Sequence, residues 1–215
     1  MHRLLLILSL FPLLAALVLR KLYADRVLRE TRKTQLSIPA GELARKMLDA
    51  LGHESTEVKS TKRAWAGAAV TGKNWLCLPT GVAEGTCASD HGRAALRVGL
   101  YLVSLRNPAA IARRRWALRF GHVFPVFTTI VVVFAMFVRL PPVWGLSVIL
   151  ASFALAACAQ TLTVVAELQA AAMANVLLEK KRILPRLSDE EAVSAATRAW
   201  AWHATVPGLL SRLMV

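Results

Sequence analysis

A chain of 215 residues that is 56% hydrophobic, with a mean hydropathy of +0.48, is more apolar than an ordinary soluble domain, so a membrane class is the expectation. Its formal charge of +14, from 27 basic against 13 acidic residues, would by itself suit a polyanion. In a membrane protein, however, Lys and Arg gather in short cytoplasmic loops, so no nucleic-acid partner is expected. The cysteines Cys77, Cys87 and Cys158 have no metal-ligand spacing, and their odd number argues against a closed disulfide framework.

Leu4 to Leu19 (LLLILSLFPLLAALVL) carries no charge and is bracketed by His2 and Arg3 before it and Arg20 and Lys21 after it. It could be a signal peptide or an anchor; with no small-x-small cleavage site before the basic cluster, it reads as a retained first membrane helix. Although short for a span of about 20 residues, it can be extended by snorkelling of the flanking Arg side chains. From Arg20 to Arg119 the chain is dense in charge, including Arg20, Lys21, Arg32, Lys33, Lys62, Arg63 and the run Arg113, Arg114, Arg115, which places this segment on the cytoplasmic side and the N-terminus outside. Within it, Pro39 opens a helical pattern with Leu43, Met47 and Leu51 at spacings of four and Gly52 as its stop. Val58, Ala69, Val70, Trp75, Leu76 and Leu78 among Gly and Thr predict two or three short strands. A second helix is predicted from Arg93 to Ser104.

Two further uncharged stretches, Phe120 to Val138 and Leu140 to Ala166, are separated by Arg139 alone and by a Pro141-Pro142 turn. They predict a membrane hairpin with Trp144 at its interface. Ser188 and Glu191 predict a capping box that starts the last helix. The segment from Val193 to Val215, interrupted by Arg198, His203, Pro207 and Arg212, either spans or lies in the interface, the packed or interfacial reading being favoured. The expected fold class is therefore a mainly α integral membrane protein of three membrane helices, four if this segment spans, with a small α+β cytoplasmic segment. The expected organisation is an anchor over 1–20, a cytoplasmic segment over 21–119, a hairpin over 120–167 and C-terminal helices over 168–215.

No Gly-rich phosphate loop, no paired CxxC and no HExxH occurs. Ser89, Asp90 and His91 have triad residue types, but neighbours in sequence do not reproduce a triad whose members approach from separate elements, so a loop or helix N-cap is expected there. His2, His53, His122 and His203 have no second ligand one turn away and read as ordinary histidines. Glu167, at the end of a long apolar helix, either snorkels to the interface or is buried with a partner.

The order of GELARKMLDALG (Gly41 to Gly52), AALRVGLY (Ala94 to Tyr101), VAELQAAAMA (Val165 to Ala174) and LLEKKRILPRLSDEE (Leu177 to Glu191) resembles the bacterial neutral zinc metallopeptidases of the YugP type, a family of membrane-embedded zinc proteases. In that pattern an anchor precedes short strands, a helix carrying AAHEVGHA, an apolar hairpin, and a segment of the type VEFDASRRAL whose Glu is the third zinc ligand. Leu96, Arg97 and Leu100 stand where the family has its first His, its Glu and its second His, and Glu167 matches the third ligand. Two leucines cannot bind zinc and a guanidinium cannot act as a general base. The resemblance thus implies a pseudopeptidase with no catalytic, cofactor or metal site, and a placement in the bacterial cytoplasmic (inner) membrane. It also implies that Leu96 and Leu100 fill the former zinc cavity, with an ion pair between Glu167 and Arg97, or alternatively Arg93, supplying the metal's counter-charge.

The function expected on this basis is that of a scaffold or accessory subunit of a larger membrane complex. Other membrane subunits would pack on small residues such as Ala151, Ser152, Ala154, Ala156 and Ala157, and anionic lipid would meet the basic cytoplasmic face. The alternative is an active zinc protease with atypical ligands, for which Glu167, His91 and Asp90 would have to converge.

Overall fold

Long runs of Leu, Val, Ala and Phe broken only by proline pairs and single basic residues leave helices as the dominant element, and the computed structural model is mostly helical. It describes residues 2–62, 71–72, 74–204 and 206; Arg63, Ala69, Val70, Pro207 and Arg212 lie outside the described residues. The first apolar stretch forms α1 (His2–Arg20), which does not stop at the basic cluster but passes through a π-helical turn (Lys21–Asp25) into α2 (Arg26–Thr31). The expected end of the anchor at residue 20 is thus inside continuous helix, with Arg20 buried and bonded to Asp25 at 3.0 Å.

Helix α3 (Ala40–Asp49) follows Pro39 as its sequence predicts, burying Leu43, Ala44, Met47 and Leu48. Gly52, at φ +76°, takes the left-handed conformation that ends such a helix, and the His53 amide donates back to the Leu48 carbonyl at 3.0 Å. Two strands, β1 (Glu57–Thr61) and β2 (Trp75–Pro79), pair in parallel with Val58 opposite Leu76. A short helix α4 (Thr80–Ala83) leads into α5 (Ala88–Arg106), five residues ahead of the predicted start at Arg93. Ser89, Asp90 and His91 therefore lie in its first turn, after Cys87 as the N-cap residue.

Helix α6 (Pro108–Phe137) begins well before the uncharged stretch because Asn107 and Pro108 form a strong helix start: the Asn107 side chain accepts from the Ala110 amide at 3.1 Å and Pro108 occupies the first turn. At 30 residues it is about 45 Å long. Arg139, at φ 71°, turns the chain, and Pro141 and Pro142 start α7 (Pro142–Thr161). After a break at Leu162 and Thr163 the chain continues as α8 (Val164–Lys181), ended by Arg182 in the left-handed conformation. Helix α9 (Leu187–His203) closes the described chain. The predicted capping box is not formed: Ser188 is already inside the helix, Arg186 holds the extended cap position, and no side chain caps it.

Helix α5 is the axis of the polar half, packed against α3 and β2 on one side and against α8 and α9 on another. Its principal core gathers Leu43, Met47, Leu76, Leu78, Val98, Tyr101, Leu178 and Val193. The last helix joins this core through Val193, and it meets α5 at Gly92 through Ala196 and α2 at Leu28 through Ala199. The apolar half is built from α6, α7 and α1, with α7 between the other two. Among the described residues two helical stretches, Pro108–Phe137 and Pro142–Lys181, are long and apolar enough to cross a membrane. The outer face of the first leaves Phe127, Phe134 and Phe137 exposed, while its Thr128 and Thr129 return their hydroxyl protons to the Phe124 and Pro125 carbonyls.

Candidate functional site

Of the residues singled out by sequence, Leu96, Leu100 and Glu167 lie where α5, α6 and α8 meet. Small side chains permit it. Ala170, Ala171 and Ala174 give α8 a smooth inner face, and α5 presents Gly99 to it so closely that a Cβ there would collide with the Ala170 carbonyl. With the two backbones in contact, Leu96 and Leu100, one turn apart on α5, are buried against Ala170, Ala171 and Ala201 together with Val103. The positions that the resemblance assigns to two metal-binding histidines are therefore part of an apolar seam.

Glu167 begins the same inner face of α8 and is 1% exposed. A carboxylate so buried needs a cation, and one is present: the guanidinium of Arg114 on α6 donates from Nε at 2.7 Å and from Nη2 at 2.6 Å, both to Oε1. This corrects the expected pairing. Arg97 points instead toward β2 and donates to the Cys77 carbonyl at 3.3 Å, while Arg93 lies over the Trp200 ring, 4.6 Å from its centroid. The physical reason is the early start of α6, whose Arg114 is carried alongside α8 by the hairpin. Of the two possibilities for Glu167, interface or buried pair, it occupies the second. Its other oxygen, Oε2, is buried with no hydrogen-bond partner among the described residues, as is Oε1 of Gln160, two turns earlier.

Charge around the pair is predominantly positive. Burial pushes the Arg97 guanidinium down to about 10, and the neighbouring Arg93 and Arg114 push in the same direction, against the attraction of Glu167. Arg114 was not distinguishable from Arg113 and Arg115 by residue type. Its signal lay in spacing: Arg114, Ala117 and Gly121 recur at i, i+3 and i+7, and Gly121 meets the Gln160 side chain of α7, so this stripe is the inward face of α6.

Asp90 and His91 are committed elsewhere. The two His91 ring nitrogens lie 2.9 Å from the carbonyls of Cys87 and Ile38, and Asp90 accepts from the Cys87 thiol, which burial holds above its usual pKa. None of these contacts leads to Glu167. Among the described residues no three His, Cys, Asp or Glu side chains are grouped so as to hold a metal ion. Cys77, Cys87 and Cys158 are free thiols. Ser152, Ala154, Ala156 and Ala157, expected as a face for other subunits, are buried within the chain, Ala154 and Ala157 against Leu13 and Ala16 of α1.

Compared with protein-family models, with curated proteins and with solved structures, the chain matches none.

Proposed function

We propose that the chain is a membrane-embedded, non-catalytic protein on a metallopeptidase-like plan, serving as a scaffold or accessory subunit of a larger membrane assembly. The observation that carries this reading is the ion pair of Arg114 and Glu167 beside the leucine seam. A fixed guanidinium stands against the carboxylate that would otherwise hold a metal, and Leu96 and Leu100 occupy the volume that two imidazoles would need. Such an arrangement is a closed structural joint with no open coordination position.

In this proposal α6 and α7 form the hairpin, α1 is the third span, and the basic segment from α2 to the start of α6 faces the bacterial cytoplasm with the N-terminus outside. The small-residue stripe of α7 is used internally, so contact with other subunits falls to the outer face of α6, where Phe127, Phe134 and Phe137 are exposed. Metal analysis of the purified protein tests the site: less than stoichiometric zinc is expected, and one zinc per chain would overturn the reading. Purification in mild detergent tests the role, with membrane subunits expected to co-elute in fixed stoichiometry.

A further inference from the structure

Adjacent arginines on α6 have separate surroundings. Arg114 turns inward to Glu167, whereas Arg113 is exposed, makes no ion pair among the described residues, and lines a cleft of about 490 Å³ between α6 and the α7–α8 junction. The cleft's other walls include Asn107, Trp116, Gln169, Leu162 and Val165, and among the described residues no acidic side chain lines it. Asn107 accepts the Ala110 amide through Oδ1, which leaves its side-chain NH2 as a donor in the cleft that Arg113 and Gln169 also line. Such a set suits a phosphate.

The lower part of the cleft has a different character. Trp116, 60% exposed, stacks on Phe120 (centroids 5.3 Å apart, planes 12° apart), and Phe120 stacks on Phe124 (4.7 Å, 13°). This aromatic ladder runs from the cleft down α6 into the stretch without charge. Opposite it, Leu162 and Val165 expose large apolar side chains at the break between α7 and α8. An apolar strip leading away from a cationic donor set has the shape of one molecule, a phosphate with hydrocarbon attached.

We propose that this cleft is a binding site for an anionic phospholipid, its phosphate held by Arg113 with Asn107 and Gln169, and an acyl chain lying along Trp116, Phe120 and Phe124. The proposal rests on α6 and α7 spanning a membrane, which would put the cleft at the headgroup level where Trp is favoured.

Tryptophan quenching in nanodiscs tests it. The full chain is reconstituted in phosphatidylcholine containing a minor share of lipid brominated on its acyl chains, either phosphatidylglycerol or phosphatidylcholine, and the Trp116 signal is taken as the difference from Trp116→Phe. Stronger quenching of Trp116 by the anionic lipid is expected, with the preference reduced about five-fold in Arg113→Gln, the effect of one interfacial cation. Arg186→Gln, exposed at the start of α9, should leave it unchanged. Equal quenching of Trp116 by both lipids, or a preference that survives Arg113→Gln, would overturn the lipid site while leaving the membrane reading intact. Loss of the preference on adding inorganic phosphate would show a small-anion site in place of a lipid site. Absence of quenching from every tryptophan, Trp144 of the hairpin included, would overturn the membrane reading and the site with it.

Discussion

Gly99 of α5 and Ala170 of α8 stand backbone to backbone, with no room for a methyl group on the glycine. Everything around the Glu167 joint depends on that approach, since it is what lets Leu96 and Leu100 reach across to the alanine face of α8. Gly99→Ala should therefore destabilise the folded protein by about 1–3 kcal/mol, the usual cost of overpacking, and Gly99→Val by more. Denaturation of the two variants in detergent measures it; a variant as stable as the parent would mean that the helices can separate without loss.

Removing one partner of the buried ion pair should cost more than removing both. Arg114→Met leaves Glu167 charged and unpaired at 1% exposure, for a loss of about 3–5 kcal/mol. Arg114→Met combined with Glu167→Met leaves no buried charge and should recover most of that loss. A double-mutant cycle read by thermal unfolding checks this, and additive losses would contradict a direct pair. Arg97→Met in the same cycle should show weaker coupling to Glu167.

Acid should weaken the α9 docking through His203. Burial, reinforced by Arg20 and Arg93, pushes this imidazole down to about 4 from an ordinary 6.5. As pH falls below about 6.5 the unfolded chain takes up the proton first, so stability declines from there to about pH 4 and is flat below, with a total on the order of 3 kcal/mol. The window should vanish in His203→Phe, whose ring can retain the contact with Trp200, 4.8 Å away in the native pair. Unfolding midpoints at a series of pH values measure it.

For the orientation, a cysteine introduced at Lys62 should resist a membrane-impermeant thiol reagent added from the non-cytoplasmic side and react once the membrane is opened. Lys62 is exposed, so protection would have to come from the membrane. Rapid labelling from outside would invert the proposed topology.

Much of the fold was legible because its signals are local. Pro39, Leu43, Met47 and Gly52 bound α3 by spacing and punctuation, and Pro141 with Pro142 marked the hairpin turn. The uncharged runs also located α6 and α7, although not the N-terminal extension of α6, because hydropathy registers where charge begins and a helix can cross that boundary unbroken. The capping box at Ser188 failed for a related reason: the motif matches, but Leu187 is already helical and the serine has left the cap position. The site was legible in part. Leu96 and Leu100 pack on the alanine face of α8, the helix that carries Glu167 in its first turn, whereas the partner of Glu167 is 53 residues away in a triplet of identical side chains. Only the inward stripe of Arg114, Ala117 and Gly121 separates it from its neighbours.

The π-helical turn at Lys21–Asp25 sets the phase between two halves of one long helix. Ala16, Arg20, Ala24 and Leu28 are all buried, at intervals of four. In an uninterrupted α-helix such intervals would carry Leu28 about 120° around the axis from Ala16. A π turn absorbs one surplus residue, or about 100° of that rotation, and returns Leu28 to the side that meets Ala199. The segment therefore works as a vernier, one residue longer than a regular helix requires. Deleting the exposed Leu22 would leave α1 seated on α7 and α2 seated on α9, joined by ordinary helix, whereas inserting a residue beside it would swing α2 off its seat.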